Sequence, residues 1–300
     1  MRFFYQYPDA HGTHGDLLDA GPVAEVARTA EAAGWAGFAF TEHPVPSARW
    51  LNSGGHQTLD PFVALGHAGA LTTPISLLTY LAVAPYRNPF LLAKAAATVD
   101  KLSGGRLILG LGTGYQKSEF AALGVDFEER NALFDEVLDA LALHWGGQPF
   151  SYQGRHFTAR DVIALPRPAQ DPIPVWIGGN SHVTRDRVAR RAHGWMPLLG
   201  PPELFTTART PAIGGLRELA AAIAAIRSAA SVRRVPIDVL YPCVDSTIAS
   251  PDVDTDRHHE AFAQLERAGV TCVMVAGVTR TPEATTGFLQ AFGDSYPTTT

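Results

Sequence analysis

Alternating glycines after an apolar run are the residues whose spacing points most directly to chemistry. Gly110, Gly112 and Gly114 follow the apolar residues 107–109, and Thr113 lies between the last two glycines. Glycine lets a loop come close to an anion, and consecutive backbone N–H groups can form a concave anion site. The spacing therefore predicts a cradle for a phosphate group, with a tight turn between a strand and a helix as the simpler alternative.

A second candidate for phosphate binding is the sequence Gly-Gly-Asn-Ser at residues 178–181. It ends one apolar run and begins a helical pattern. The first turn of a helix offers free N–H groups and a positive potential to a phosphate. Ser181 is also a typical helix N-cap, so the same residue fits a purely structural role.

Glu42 and His43 end another apolar run and are followed by Pro44. The proline disfavours a helical conformation for His43, which therefore stays extended at the end of a strand. With an unperturbed pKa of about 6.5, a histidine can donate or accept a proton at cell pH. The pair indicates general acid–base chemistry or contact with a bound ring, although a histidine taken alone is more often structural.

Three more histidines belong to the same expected pocket. His11 and His14 follow the first predicted strand, and His56 lies in the long loop over residues 44–59. Two neighbouring histidines can bind a metal, but these lie in a glycine loop rather than on a helix, and no set of carboxylates completes them. We expect the three histidines to line a substrate pocket and expect no metal; a metal hydrolase is the alternative.

These residues need structural elements that bring them to one place. Eight apolar runs, nearly all followed by an amphipathic helical pattern, occur along the chain: residues 2–7, 37–43, 75–81, 106–111, 174–179, 194–198, 236–242 and 270–277. The runs are continuous rather than alternating, as in parallel strands that are buried on both faces. They predict one α/β domain over residues 1–300, a (β/α)8 TIM barrel with a small hairpin inserted at residues 149–158, after the fourth βα unit. A doubly wound sheet is the main alternative.

The barrel prediction changes the interpretation of the glycines. A dinucleotide-binding fingerprint has the spacing G-x-G-x-x-G after the first strand, and an acidic residue follows about 20 positions later. Here the spacing is G-x-G-x-G, the strand is the fourth, and residues 130–141 have a helical pattern instead. A dinucleotide fold is therefore disfavoured. In a TIM barrel the glycines would lie at the C-terminal ends of the strands, where active sites form.

Composition excludes several classes of partner. The chain has 300 residues, of which 46% are hydrophobic, and its formal net charge is -5. No block of Lys and Arg indicates nucleic-acid binding, and no run reaches the roughly 18 apolar residues of a membrane span. The first residues are not those of a signal peptide. Cys243 and Cys272 lie far apart in apolar runs, so we expect two buried thiols in a cytoplasmic protein.

Three blocks of the sequence resemble the bacterial luciferase-like flavin and deazaflavin oxidoreductases: LSGGRLILGLGTGY, EFAALGVDFEER and PVWIGGNS. The similarity runs from the first strand to about Leu199. The phrases YRNPFLLAK and DKLSGGRLILGLGTGY are most similar to the branch that uses the deazaflavin coenzyme F420. The fold of this family is the TIM barrel, which agrees with the strand count.

The resemblance implies a cofactor, F420 or alternatively flavin mononucleotide (FMN), that lies across the barrel mouth. Its phosphate would lie between the two glycine turns, and His43 would be the catalytic residue. The implied cofactor-binding residues are Glu42, Tyr80, Leu81, Gly112, Thr113, Gly114, Tyr115, Gly178, Gly179, Asn180 and Ser181. Family members often carry a cis peptide bond at the end of the third strand, which alignment on YRNP places between Tyr80 and Leu81.

One residue departs from a branch of the family. The sugar-phosphate dehydrogenases have a carboxylate proton donor where this chain has Tyr115, so a sugar phosphate is disfavoured as the substrate. Glu119, one helical turn further along, is interpreted as structural. Arg130, Asp135 and Glu136 are interpreted as a network on a helix surface that supports the glycine loop.

Together, the residues and the resemblance imply hydride transfer between F420 and a small organic substrate. An FMN-dependent monooxygenase, supplied with reduced flavin by a separate reductase, shares the fold and the phosphate cradle and is the first alternative. A barrel that binds a ligand without turnover is the second. The resemblance also implies a homodimer, formed through helices near the second and third strands.

Overall fold

The eight apolar runs form parallel strands in the computed structural model of the chain, which describes residues 1–13, 15–233, 235–250 and 254–297. Within these residues the strands, numbered β1 to β8, are Arg2–Gln6, Gly37–Phe40, Ser76–Thr79, Leu107–Gly112, Val175–Gly178, Gly194–Met196, Asp238–Pro242 and Cys272–Ala276. Each strand pairs in parallel with the next, and β8 pairs with β1 through contacts such as Cys272 with Arg2. The sheet is therefore closed, which confirms the TIM barrel and excludes a doubly wound sheet.

A helix follows each barrel strand. The helices, numbered α1 to α8, are Val23–Ala32, Pro61–Gly69, Pro89–Leu102, Arg130–Trp145, His182–Arg191, Leu216–Ala230, Thr255–Arg267 and Pro282–Ser295. Three of them begin with the same device, a capping side chain followed by proline at the first helical position. Asp60, Asn88 and Thr281 each accept a hydrogen bond from a backbone N–H of the first turn of α2, α3 and α8.

The remaining elements lie in the loops. The short helices are Ala48–Asn52, Lys117–Ala122 and Pro202–Ala208, and the 3-10 turns are Leu17–Ala20, Ala84–Tyr86, Phe127–Glu129, Ser231–Arg233 and Ser246–Ala249. Two residues, Ala82–Val83, extend the barrel sheet beside β4, and Ala10–His11 pairs with His56–Gln57. The hairpin predicted at residues 149–158 consists of Phe150–Gln153 and Thr158–Val162. It runs past the predicted end because its second strand is largely exposed and polar, and so lacks an apolar pattern.

The interior of the barrel is filled by large side chains below the mouth. Phe4 and Trp176 pack with their ring centroids 5.7 Å apart, and both are almost completely buried. A Cβ at Gly37 would overlap the ring of Phe4, and one at Gly194 would overlap Trp176, so glycine at these strand starts makes room for the two rings. Because the barrel interior is packed at this level, a ligand inside the barrel would be bound at the C-terminal mouth.

The structure bears on the expectations about a membrane-spanning segment and about the two cysteine thiols. No helix in the described residues is both long and apolar enough to span a bilayer. Cys272 is buried, as expected, but Cys243 is only partly buried, so the expectation of two buried thiols is wrong for Cys243. Cys243 follows the end of β7, where the chain leaves the barrel for the mouth, and this explains its exposure.

Candidate active site

The candidate site is a cavity of about 280 Å³ at the C-terminal mouth of the barrel. We call one part the glycine end, which is formed by Gly112, Thr113, Gly114, Gly178, Gly179 and Ser181. The other part, the histidine end, is formed by Glu42, His43, His56 and Tyr115, and Tyr80 and Leu81 line the space as well. The structure therefore brings both glycine turns and the strand-end histidine of the sequence analysis around one cavity.

The glycines of the glycine end serve two different purposes. A Cβ at Gly112 or at Gly178 would overlap the side chain of Leu81, so these two glycines let Leu81 pack between β4 and β5. Gly114 and Gly179 instead have φ values of 77° and 113°, in the region that favours glycine. The nearest atom to a Cβ at Gly179 would be Thr184 Oγ1 at 3.4 Å, so this turn is open rather than tightly packed.

Hydrogen-bond donors without partners lie at the glycine end. Among the described residues, no acceptor pairs with the backbone N–H of Gly114 or Tyr115. Gln116 lines the cavity, and its buried Nε2 has no hydrogen-bond partner either. Of these three donors, Gln116 Nε2 is fully buried, and a buried donor without a partner is rare in folded proteins. These donors, with the hydroxyl of Ser181 at the start of α5, fit the phosphate of a flavin or deazaflavin cofactor.

Asn180 is turned toward the loop over residues 197–211 instead of the cavity. Its backbone N–H donates to Thr210 Oγ1 at 2.9 Å, and its side-chain Nδ2 donates to the carbonyl oxygens of Leu198 and Pro211, both at 2.8 Å. Asn180 therefore holds both ends of this loop against the glycine end. In the structure its contacts are those of a positioning residue.

The peptide bond between Tyr80 and Leu81 is cis, as the resemblance implied. Glu42 holds the segment that follows: its Oε2 accepts a hydrogen bond from the N–H of Val83 at 2.7 Å, and it forms an ion pair with Arg87. Burial raises the pKa of Glu42, and the charge of Arg87 opposes that rise. The contacts of Glu42 therefore fix the backbone beside Leu81.

His43 is held by a buried carboxylate that the sequence analysis interpreted as structural. Its Nδ1 lies 3.1 Å from Oε2 of Glu119, whose side chain is completely buried. Glu119 also accepts hydrogen bonds from the Tyr86 hydroxyl at 2.9 Å and from the Val45 N–H at 3.2 Å. A carboxylate is an acceptor, so Nδ1 donates and Nε2 is the ring atom that can exchange a proton.

Tyr115 lies on the other side of the imidazole. Its hydroxyl is 3.4 Å from Nε2 of His43. Burial, with the nearby charges of Glu119 and Asp9, raises the pKa of Tyr115 to about 12. The hydroxyl therefore stays neutral at cell pH and can donate a hydrogen bond to His43. It does not replace the carboxylate acid of the sugar-phosphate dehydrogenases.

A second histidine–carboxylate pair lies beside the first. His56 Nδ1 is 3.4 Å from Oδ2 of Asp9, and the rings of His56 and His43 are 5.0 Å apart. Asp9 also accepts hydrogen bonds from Gln6 and Thr41, at 2.6 and 2.9 Å. Burial raises the pKa of Asp9 to about 7, although these two hydrogen bonds oppose the rise.

Trp50, in the short helix Ala48–Asn52, packs on the His43 ring with a centroid distance of 4.3 Å. Neither Trp50 nor Asp9 was among the predicted residues.

The backbone of His11 pairs with that of His56 in the two-residue sheet, which ties the loops after β1 and β2 together. His14 lies outside the described residues, so its expected place in the pocket is not located.

The expected network of Arg130, Asp135 and Glu136 is wrong as a single unit. Arg130 lies over the ring of Phe127, Asp135 pairs with Arg187, and Glu136 pairs with His156 in the hairpin. Only Arg130 is close to the glycine loop, through Phe127. The three residues have different partners because α4 contacts the turn Phe127–Glu129, α5 and the hairpin at once.

The described residues contain no group of three or more His, Cys, Asp or Glu side chains placed to hold a metal ion. A second cavity, of about 300 Å³, lies between α6 and α7 and is lined by residues such as Leu216, Tyr241, Cys243 and Leu265. It contains none of the predicted site residues and is mainly apolar.

Comparisons with known proteins identify the family of the chain and agree with its fold. The family model for luciferase-like monooxygenases matches residues 1–269. An uncharacterized protein of Mycobacterium tuberculosis (strain ATCC 25618 / H37Rv) is 34% identical over 191 residues, which are 58% of this chain and 66% of that protein. F420-dependent glucose-6-phosphate dehydrogenase of Microbacterium testaceum is 28% identical over 218 residues, which are 71% of this chain and 61% of that protein. The matches thus span less than two thirds of the length of these relatives.

One solved structure extends the likeness over nearly the whole chain. Monooxygenase RslO1 from Streptomyces bottropensis superposes with a TM-score of 0.75 at 20% sequence identity, and the alignment covers 98% of both chains. At this level of identity the likeness concerns the fold.

Proposed function

The chain belongs to the luciferase-like monooxygenase family, and we propose that it is an oxidoreductase that transfers a hydride between coenzyme F420 and a small organic substrate. The observation that carries the proposal is the position of His43. It lies between the buried carboxylate of Glu119 and the hydroxyl of Tyr115, at one end of a cavity whose other end offers free donors to a phosphate. The similarity to an F420-dependent dehydrogenase supports the choice of cofactor.

The residues have separate roles in this proposal. When bound, the deazaflavin ring accepts or releases the hydride. His43 exchanges the proton: a substrate hydroxyl loses its proton to Nε2, or a substrate carbonyl gains one from it, depending on direction. Glu119 holds Nδ1–H and stabilises the charged imidazolium, and Tyr115 keeps the ring oriented. Trp50 and His56 cover the ring and limit the access of water.

The phosphate is held at the glycine end. The N–H groups of Gly114 and Tyr115, the amide of Gln116 and the hydroxyl of Ser181 supply neutral donors, and the first turn of α5 adds a positive potential. Both F420 and FMN carry a phosphate in the corresponding place. The cradle therefore accepts either cofactor, and the choice between them depends on the rest of the molecule.

We propose an uncharged substrate rather than a sugar phosphate. Of the described side chains that line the cavity, Arg209 alone is Lys or Arg, and it lies beside Thr210 at the glycine end. The buried carboxylate of Glu119 lies beside the histidine end and disfavours a second phosphate there. Tyr115, in place of a carboxylate, also disfavours a sugar phosphate as the substrate.

Titration of the purified protein with F420 and with FMN, followed by cofactor fluorescence, tests the proposal. F420 should bind at least tenfold more tightly, a difference of about 1.4 kcal/mol. Equal affinity, or a preference for FMN, would instead support a monooxygenase that receives reduced flavin from a separate reductase. Turnover of a neutral secondary alcohol but not of glucose 6-phosphate would support the substrate class.

The proposal includes a homodimer. Val63 on α2 and Leu91 on α3 are large apolar side chains that are 73% and 69% exposed on two neighbouring helices, and we take them as the centre of the interface. Sedimentation equilibrium of the wild-type chain and of the Val63→Glu/Leu91→Glu variant tests this: the variant should be a monomer if these helices form the interface.

A further inference from the structure

Arg209 has an unusual backbone conformation at the edge of the cavity. It ends the short helix Pro202–Ala208 with φ of 51°, in the left-handed region that a residue with a Cβ rarely adopts. The hydrogen bonds from Asn180 to Thr210 and Pro211 hold the backbone on either side. Arg209 is therefore fixed beside the glycine end, where it lines the cavity.

The Arg209 side chain is one of three cations around a single aromatic ring. The guanidinium carbons of Arg209 and Arg130 lie 5.3 and 3.9 Å from the ring centroid of Phe127, and Nζ of Lys117 lies 4.8 Å from it. We call these three cations and the ring the Phe127 collar. Phe127 packs edge-on against Phe120, which in turn contacts the position where a Cβ of Gly114 would lie. The collar therefore adjoins the glycine loop.

The charges of the collar are only partly compensated. Glu128 is shared by Lys117, at 3.2 Å, and Arg130, at 3.8 Å. The neighbouring acids face other partners: Asp126 accepts a hydrogen bond from the Glu128 N–H, and Glu129 pairs with Arg155 and His156. In the described part of the chain, no carboxylate lies within ion-pair distance of Arg209. Three cations around one ring therefore share the single carboxylate of Glu128, so a further anion beside the collar would be attracted to them.

We propose that the Phe127 collar is a binding site for a negatively charged chain that continues from the cofactor phosphate toward solvent. The inference rests on the proposed function and adds a subsite to it. Arg209 lines the cavity, whereas Lys117 and Arg130 contact the Phe127 ring outside the cavity lining, so the cations lead outward from the phosphate. F420 carries such a chain, because its phosphate is a diester that continues into several glutamates. FMN ends at its phosphate.

The experiment compares F420 with a tail of several glutamates and F420 without glutamates, each titrated by fluorescence. Arg209→Gln should weaken binding of the tailed form about fivefold, and Arg209→Gln/Lys117→Gln about twentyfold, because exposed ion pairs contribute up to about 1 kcal/mol each. Binding of the tail-free form should change less than twofold. The dependence of affinity on salt should also become weaker for the tailed form. Arg190→Gln, which removes an exposed cation at the far end of α5, is the matched control.

The affinity losses for the two forms of F420 distinguish the collar from its alternatives. Equal losses for both forms would show that Arg209 binds the phosphate itself, and no loss for either form would show that the collar binds neither; both outcomes overturn the collar. Failure of the proposed function is a different result, seen in the wild-type protein as binding of FMN and of neither F420 form. Lys117 is more than half exposed, so Lys117→Gln alone tests the collar even if the Arg209 variant folds poorly.

Discussion

The two ends of the cavity are built in different ways. The glycine end consists of two short stretches, each of which supplies backbone groups and hydroxyls from neighbours in the sequence. The histidine end consists of side chains that are far apart in the sequence: Glu119 is 76 positions after His43, and Tyr115 is 72 positions after it. We infer that the glycine end sets cofactor affinity and the histidine end sets the rate of proton transfer. Substitutions at the two ends should therefore separate affinity from rate.

The largest effect is expected in the pH dependence of stability, to which the histidine end should contribute through Asp9 and the glycine end should not. Burial raises the pKa of folded Asp9 to about 7, above the value of about 3.9 in an unfolded chain. The protonated form is thus favoured by folding, so its contribution to stability is complete below about pH 4 and is lost as the pH rises through 7. Asp9→Asn stays neutral and should abolish this loss, which is at most about 4 kcal/mol.

Urea unfolding of wild type and Asp9→Asn between pH 4 and pH 8 measures the effect. Asp126→Asn, at an exposed cap far from His56, is the control and should follow the wild-type curve. A pH curve for Asp9→Asn that parallels the wild type would mean that Asp9 is ionised in the folded protein, stabilised by His56.

The next largest effect should be on rate. His43→Ala should slow hydride transfer about 10²-fold, as expected for loss of a general acid or base, while cofactor affinity changes less than twofold. His43→Asn should restore part of the rate if the imidazole only positions the ring, and almost none if it moves a proton. Single-turnover oxidation or reduction of the bound deazaflavin measures both.

His156→Ala is the matched control for this substitution, because it removes a histidine–glutamate pair in the hairpin, away from the cavity. A wild-type rate in His43→Ala would reassign the proton transfer to another residue of the histidine end, with Tyr115 and His56 next to be tested. An equal loss of rate and affinity would instead break the proposed division between the two ends.

Glu119→Gln should have a smaller effect of the same kind. The amide keeps the volume of the side chain but removes the charge that stabilises the imidazolium, so the rate should fall about tenfold with cofactor affinity unchanged. Because Glu119 acts through His43, the substitution should also shift the pH–rate profile, which a purely structural role would not do. Glu136→Gln, in the hairpin pair, is the control. An unshifted profile would return Glu119 to the structural role expected from the sequence.

Much of the fold could be predicted because its signals are local. Each barrel strand is a continuous apolar run, and the helix starts at Pro61, Pro89 and Pro282 are marked by the residue before the proline. The glycine turns are equally local. The role of these glycines was only partly predictable, because Gly112 and Gly178 make room for Leu81, which lies in the segment after β3.

The histidine end could be predicted only where a strand end marked it. His43 follows an apolar run and precedes a proline, whereas Glu119 lies on a short helix that has no apolar pattern to indicate burial. Its surroundings come from Tyr86 and Val45, in two distant loops. Asp9 had a usable signal, since it lies three residues beyond the last residue of β1, at the same mouth of the barrel as His43. Trp50 had none, because it lies in the middle of a long loop.

The smallest effect, about fivefold, is expected on affinity at the glycine end. Gly179 is a poor probe there, because φ of 113° would strain any residue with a Cβ and confuse affinity with folding. Ser181→Ala is better: it removes the hydroxyl that caps α5 and, in our proposal, donates to the phosphate. Thr281→Ala removes the equivalent cap of α8, away from the cavity, and both variants should lose about 1 kcal/mol of stability. Fluorescence titration should show weaker F420 binding for Ser181→Ala alone, with the single-turnover rate at saturation unchanged. Wild-type affinity in both variants would mean that the phosphate is held elsewhere, most simply after β7 and β8, where barrel phosphate sites are common.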